Sequence, residues 1–181
     1  DVEEEIKRVV KKVEEELDKL LEDDERVVRE VEEMLDRLLK KNEKVVRDAK
    51  RKLDDLRRKG LDEKRIRDLK RELDELLKEN ERRIRELKKR IRKLHEETRR
   101  RLEELKKEAR DRLKEVEDRK IPKDVVDKII ETLRRLVKEV AKEVKRSIDE
   151  LKKTVEEVRK HSEETDRRIE KLAKEAEEEV R

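Results

Sequence analysis

The chain has 181 residues, of which 59 are Lys or Arg and 55 are Asp or Glu, with no aromatic residue, no cysteine, one glycine and one proline. Without cysteine there are no disulfides, thiolate sites or iron–sulfur ligation, and two histidines, His95 and His161, nearly exclude the usual transition-metal clusters. No apolar run approaches the roughly 18 residues of a membrane span and no signal-peptide core is visible, so the chain is expected to be soluble, and cytoplasmic on recombinant expression.

A charged fraction of 63% raises the question of disorder, because such chains often bury too little surface to offset conformational entropy. The apolar residues answer it by recurring in a regular stripe, which predicts long helices. Lys59-Gly60-Leu61-Asp62 offers a glycine suited to the left-handed position after a helix and an aspartate suited to cap the next one. Arg119-Lys120-Ile121-Pro122 offers a proline at a first-turn position. Three helices follow, at about 1–58, 62–119 and 122–181. Connections this short make consecutive helices antiparallel, which predicts one all-α domain, an up-down-up three-helix bundle covering 1–181.

In the first helix Val2, Ile6, Val9, Val13, Leu17, Leu20, position 24, Val27, Val31, Leu35, Leu38 and position 42 step by 4,3,4,4,3 and then repeat, an 18-residue repeat that closes after five helical turns. The second and third helices keep this period. Its 3.6 residues per turn is the α-helical value itself, so long, nearly straight helices are expected, whereas a seven-residue repeat would impose a left-handed supercoil.

The interruptions of the stripe carry the information. They are Asp24 and Asn42 in the first helix, Asn80 and Thr98 in the second, and Ser147, Ser162 and Thr165 in the third. Folding the chain at its turns pairs residue i with about 120 − i, and j of the second helix with about 241 − j of the third. Asp24, His95, Thr98 and Ser147 then share one level, and Asn42, Asn80, His161, Ser162 and Thr165 another. A buried polar group without a partner costs about 1–3 kcal/mol, so such layers penalise any arrangement that separates their members. The plainer reading leaves some hydroxyls, Ser162 and Thr165 among them, in solvent at the stripe edge.

Asp24, His95 and Ser147 also match the residue types of a nucleophilic triad. No glycine-rich turn or free helix N-terminus lies nearby to supply an oxyanion hole, so neither an enzyme nor a catalytic residue is expected. The two histidines fall at different levels, about 25 Å apart by helical rise, so no shared metal site and no cofactor is expected. Charge is uneven, at −3 over residues 1–58 and +5 over 61–119. Both signs alternate along every face and no aromatic is present for base stacking, so no nucleic-acid or membrane partner is expected and no partner is required.

Apolar doublets widen the first stripe (Val9-Val10, Leu20-Leu21, Val27-Val28, Leu38-Leu39, Val45-Val46) and the third (Val125-Val126, Ile129-Ile130, Leu136-Val137), but the second has only Leu76-Leu77. An apolar strip on helices 1 and 3 could therefore receive a partner helix or a second copy of the chain. The competing account is that the extra width serves the packing of two parallel helices.

Near-exclusive Glu, Lys and Arg outside, Leu, Val and Ile inside, three equal helices with minimal loops, and polar layers such as Asn42/Asn80/Ser162 make the sequence resemble de novo designed helical bundles with buried hydrogen-bond networks. The resemblance covers the whole chain and implies a hyperstable scaffold or assembly module without a metabolic role. The Ile121-Pro122 turn departs from it, lacking the Ser or Asp cap usual before such a proline. Spectrin-like repeats, which carry Trp, and BAR-like helices, which bend at irregularities absent here, fit less well.

Overall fold

The computed structural model describes residues 1–181. It contains α1 (Val2–Arg57), α2 (Glu63–Arg119) and α3 (Lys123–Glu179), and no strand. The chain is an all-α three-helix bundle whose helix ends fall close to those expected. No helix is long and apolar enough to cross a membrane.

Each end is set by local chemistry. Asp1 caps α1, its carboxylate accepting the Glu3 N–H at 3.2 Å and its carbonyl the Glu5 N–H at 3.1 Å. After α1 the Leu61 N–H returns to the Leu56 carbonyl and the Gly60 N–H to the Arg57 carbonyl, with Gly60 at φ 103°. This double closure satisfies two end carbonyls and requires the left-handed conformation that glycine adopts without strain. Leu61 is buried against the nearby core, and the Asp62 carbonyl accepts the Ile66 N–H to open α2.

The second turn is built less well. Lys120 is the only non-glycine residue at positive φ, 47°, a conformation in which an L side chain crowds the backbone carbonyl that follows it. Pro122 lies one position earlier than expected: its carbonyl accepts the Val126 N–H at 3.1 Å, so it fills the capping position before α3 instead of the first turn. Proline has no side-chain acceptor to offer the free N–H groups there.

Contacts divide the chain into two compact units, each built from all three helices. Unit 1 comprises Asp1–Arg29 and Ile91–Leu151, and unit 2 Glu30–Arg90 and Lys152–Arg181. In unit 1 the core gathers Ile6, Val13 and Leu17 of α1, Leu102, Ala109 and Val116 of α2, and Val126, Leu133 and Val140 of α3. In unit 2 Val46, Leu53 and Leu56 pack with Ile66, Leu69, Leu73, Ile169 and Ala176.

Ion pairs between α1 and α2 show their register within each unit. In unit 1 Lys106 reaches Asp18 at 2.8 Å and Arg110 reaches Glu14 at 2.5 Å; in unit 2 Lys70 reaches Asp54 at 2.6 Å, Lys50 reaches Asp74 at 2.5 Å, and Lys88 pairs with Asp36. The residue numbers of every one of these pairs total 124, against the 120 expected. Long side chains lean toward the N-terminus of their own helix, so in an antiparallel pair both contacting residues lie further along the chain than the backbone level they share. Asp18, Asp36 and Asp54 follow the same period as the core.

The widened stripes of α1 and α3 are buried in part, with Leu20, Leu21, Val28, Leu38, Leu39, Val45, Ile129 and Leu136 half-buried. Val10, Val27, Val46, Val126, Ile130 and Val137 are buried, and Val125, at 41%, is the one exposed large apolar side chain. Between α1 and α3 a concavity of about 230 Å³ is lined by Val9, Val13 and Val137 among charged side chains in unit 1, and one of about 200 Å³ by Val45, Ala49 and Ala173 in unit 2.

Candidate functional site

The interruptions of the stripe form two arrangements of different completeness. In unit 2, Asn42 of α1 and Asn80 of α2 are fully buried, with Ser162 and Asp166 of α3 at 1% and 6% exposure. Asn42 is the hub. Its Oδ1 accepts from Asn80 Nδ2 and, at 2.9 Å, from Ser162 Oγ; its Nδ2 donates to the Ser162 carbonyl at 3.3 Å and to Asp166 Oδ1 at 2.5 Å. Asn80 Nδ2 also donates to Ser162 Oγ at 3.3 Å, closing a triangle across the three helices. An asparagine amide has two donor protons and two acceptor lone pairs, and Asn42 uses all four. Asn80 does not, because its Oδ1 is buried without a partner.

Asp166 is the member that the sequence reading missed. It stands one repeat after Ile148 and two after Ile130, of which the first is partly and the second fully buried. A carboxylate in an otherwise apolar row was the available signal. Burial raises its pKa above the usual carboxylate range, a shift opposed by the Asn42 hydrogen bond and by Lys41, and reinforced by Glu170 and Glu163.

His161 and Thr165, expected in this layer, lie outside the network around Asn42. Thr165 is buried, but its Oγ1 donates to the His161 carbonyl of its own helix at 3.0 Å, so it links no helices. His161 is half-buried, with Nδ1 enclosed and unpartnered. Its place explains this. Glu179, one repeat further on, lies on the flank of α3 that faces α2 and binds Arg65 at 2.9 Å. The same register sets His161 opposite Arg83, which turns instead to Glu79 of its own helix at 3.6 Å. A histidine thus occupies a position where the neighbouring repeat has a glutamate.

In unit 1, His95 Nδ1 and Asp24 Oδ2 are 2.5 Å apart, joining α2 to α1. Asp24 is 4% exposed, while His95 is half-buried with its outer edge toward solvent. Thr98 and Ser147 share this level and are half-buried, but neither hydroxyl bonds to the pair. Both instead line a groove between α2 and α3, with Leu94, Val140 and Val144. The expected four-member layer is therefore a two-member contact beside two hydroxyls. The triad geometry fails with it, since Ser147 makes no hydrogen bond to His95. No three His, Cys, Asp or Glu side chains converge as a metal site.

No protein-family model matches the chain, and no curated protein or solved structure is significantly similar to it.

Proposed function

We propose that this chain is a designed structural scaffold without an enzymatic activity, in which the buried polar network selects one arrangement of three helices. The observation that carries this reading is Asn42, fully buried, whose entire hydrogen-bonding capacity is spent on α2 and α3. A site built to bind a ligand or to react keeps a donor or acceptor free for it; this one keeps none at its centre. The unbroken repeat supports the same reading, and the lack of a matching family is compatible with it.

What the network selects follows from the turns. The closure at Gly60 fixes how α1 meets α2, because sliding one helix by a repeat would move the turn into helix. The network therefore acts on the docking of α3 against the α1–α2 hairpin and on association between chains. Only α3 brings Ser162 and Asp166 to Asn42. Any docking that removes them buries unsatisfied amide groups at about 1–3 kcal/mol each.

The reading is tested on the side-chain amides themselves. In a 15N-labelled sample the Asn42 and Asn80 Nδ2 protons should exchange with solvent as slowly as core backbone amides and show cross-relaxation to Ser162 and to one another. Rapid exchange of both side chains would refute a closed network.

A further inference from the structure

We infer that the solvent-facing crest of α2 in unit 2 binds a single-stranded sulfated polyanion, a glycan of the heparin type. Between Glu63 and Arg90 the crest positions step by 3, 4, 7, 4, 3 and 4, and all of them are cations: Lys64, Arg67 and Arg71, then Lys78, Arg82, Arg85 and Lys89. At about 100° per residue these positions fall within about 60° of arc, opposite the buried Leu69, Leu73, Asn80 and Leu87, and no other residue of the stretch enters that arc. The row runs about 37 Å by helical rise. All its members are exposed and none is in an ion pair, whereas the flanking cations Arg65, Lys70, Arg83 and Lys88 are taken by Glu179, Asp54, Glu79 and Asp36. Residues 63–90 hold 12 cations and 8 anions, a net +4 that equals the formal charge of the entire chain. The expectation that both signs alternate along every face holds in unit 1, where the same arc reads Glu96, Arg100, Glu103, Lys107, Lys114 and Asp118, and fails here.

The width of the row says what fits it. Carboxylates border it on both edges: Asp68, Glu75 and Glu86 on the edge toward α3, and Asp74 and Glu81 on the edge toward α1, where Lys50 holds Asp74 at 2.5 Å. They confine the positive field to a track one side chain wide and repel an anion that spreads beyond it. The strands of a DNA duplex stand about 12 Å apart across the major groove, as far as a whole helix is wide with its side chains, so a second strand would leave the track. No aromatic residue is present to stack the bases of a single strand, and no apolar side chain stands in the row to enter a bilayer. A sulfated glycan needs neither. Its oxyanions repeat along one flexible strand, and the guanidinium groups of Arg67, Arg71, Arg82 and Arg85 offer forked donors to them.

The test uses the full chain and a fluorescein-labelled heparin dodecasaccharide at physiological salt. Saturable binding by anisotropy is expected, weakening as salt is raised, with amide shifts confined to α2 between Lys64 and Lys89. Arg71→Glu/Arg82→Glu/Arg85→Glu should weaken binding by roughly tenfold or more, and the gentler Arg71→Gln/Arg82→Gln/Arg85→Gln by roughly threefold. Arg100→Glu/Lys107→Glu/Lys114→Glu, which changes net charge as much as the first variant but on the same arc in unit 1, should alter binding by about twofold at most. Unsulfated hyaluronan, duplex DNA and phosphatidylserine vesicles should each bind roughly tenfold more weakly than heparin. No saturable binding, no loss in the glutamine variant, equal losses from the two glutamate variants, amide shifts elsewhere, or hyaluronan, DNA or vesicles binding as tightly as heparin each overturns the proposal.

Discussion

The two polar layers began from similar ingredients and ended differently. In unit 2 one amide from each of α1 and α2 meets a hydroxyl and a carboxyl of α3, and Asn42 ties all three helices together. In unit 1 a carboxylate meets an imidazole, α3 contributes nothing to the contact, and two hydroxyls are left facing a groove. An amide is both donor and acceptor, so one side chain can serve several partners, while an ionised carboxylate only accepts. The lesson is that residue types converging on one level do not make a network; one member must be able to reach every helix.

The sharpest way to break this comparison is Asn42→Ala. It takes from Asp166 its amide donor and leaves Asn80 Nδ2 and Ser162 Oγ only their 3.3 Å bond to each other, and should lower unfolding free energy by about 3 kcal/mol, read from urea midpoints. In unit 1, His95→Ala leaves the buried Asp24 without its partner, but solvent can approach along the vacated side; about 2 kcal/mol is expected from the same measurement. If the two losses came out in the reverse order, the distinction between hub and pair would be wrong.

The two turns extend the comparison, since the Gly60 turn belongs to unit 2 and the Lys120 turn to unit 1. Lys120→Gly should stabilise by about 1 kcal/mol, because it relieves a left-handed L residue, and should appear as a higher thermal midpoint. Asp166→Asn sharpens the account of unit 2. Burial raises the pKa of this carboxyl, so its neutral form favours the folded state; that contribution is whole below the ordinary carboxylate range and is lost as pH rises through the folded value. The variant should therefore raise the urea midpoint at pH 7, leave it nearly unchanged at pH 3, and flatten the dependence between. The smallest effect expected is from His161→Glu, which offers Arg83 the partner that Arg65 finds in Glu179. A gain of about 0.5 kcal/mol that fades in high salt is expected in denaturant titrations.

Most of the fold was legible because one period governs it. The stripe from Val2 onward, Gly60 and Pro122 were enough to place three helices and both turns. The register was off slightly because counting backbone levels ignores the lean of Lys and Asp side chains. The site was legible in part. Asn42, Asn80 and Ser162 could be found as polar residues at the centre of the stripe. Asp166 was not found, because it interrupts the flanking row of Ile130 and Ile148, in a chain where a charged residue is unremarkable. Thr165 and His161 show the converse limit: sharing a level with a network says nothing about which flank of the helix a side chain occupies, or whether a threonine turns back to its own backbone.

The central claim is that the Asn42 network selects an arrangement instead of supplying stability, and replacing all of it at once tests this most directly. Asn42→Leu/Asn80→Leu/Ser162→Ala/Asp166→Leu removes every buried donor and acceptor together, so nothing is left unsatisfied. The account predicts that this variant unfolds at an equal or higher denaturant concentration than the parent. It also predicts loss of the parent's single set of amide resonances and single mass near 22.3 kDa in favour of several species. A variant that stayed one monomeric species with one set of resonances would contradict it.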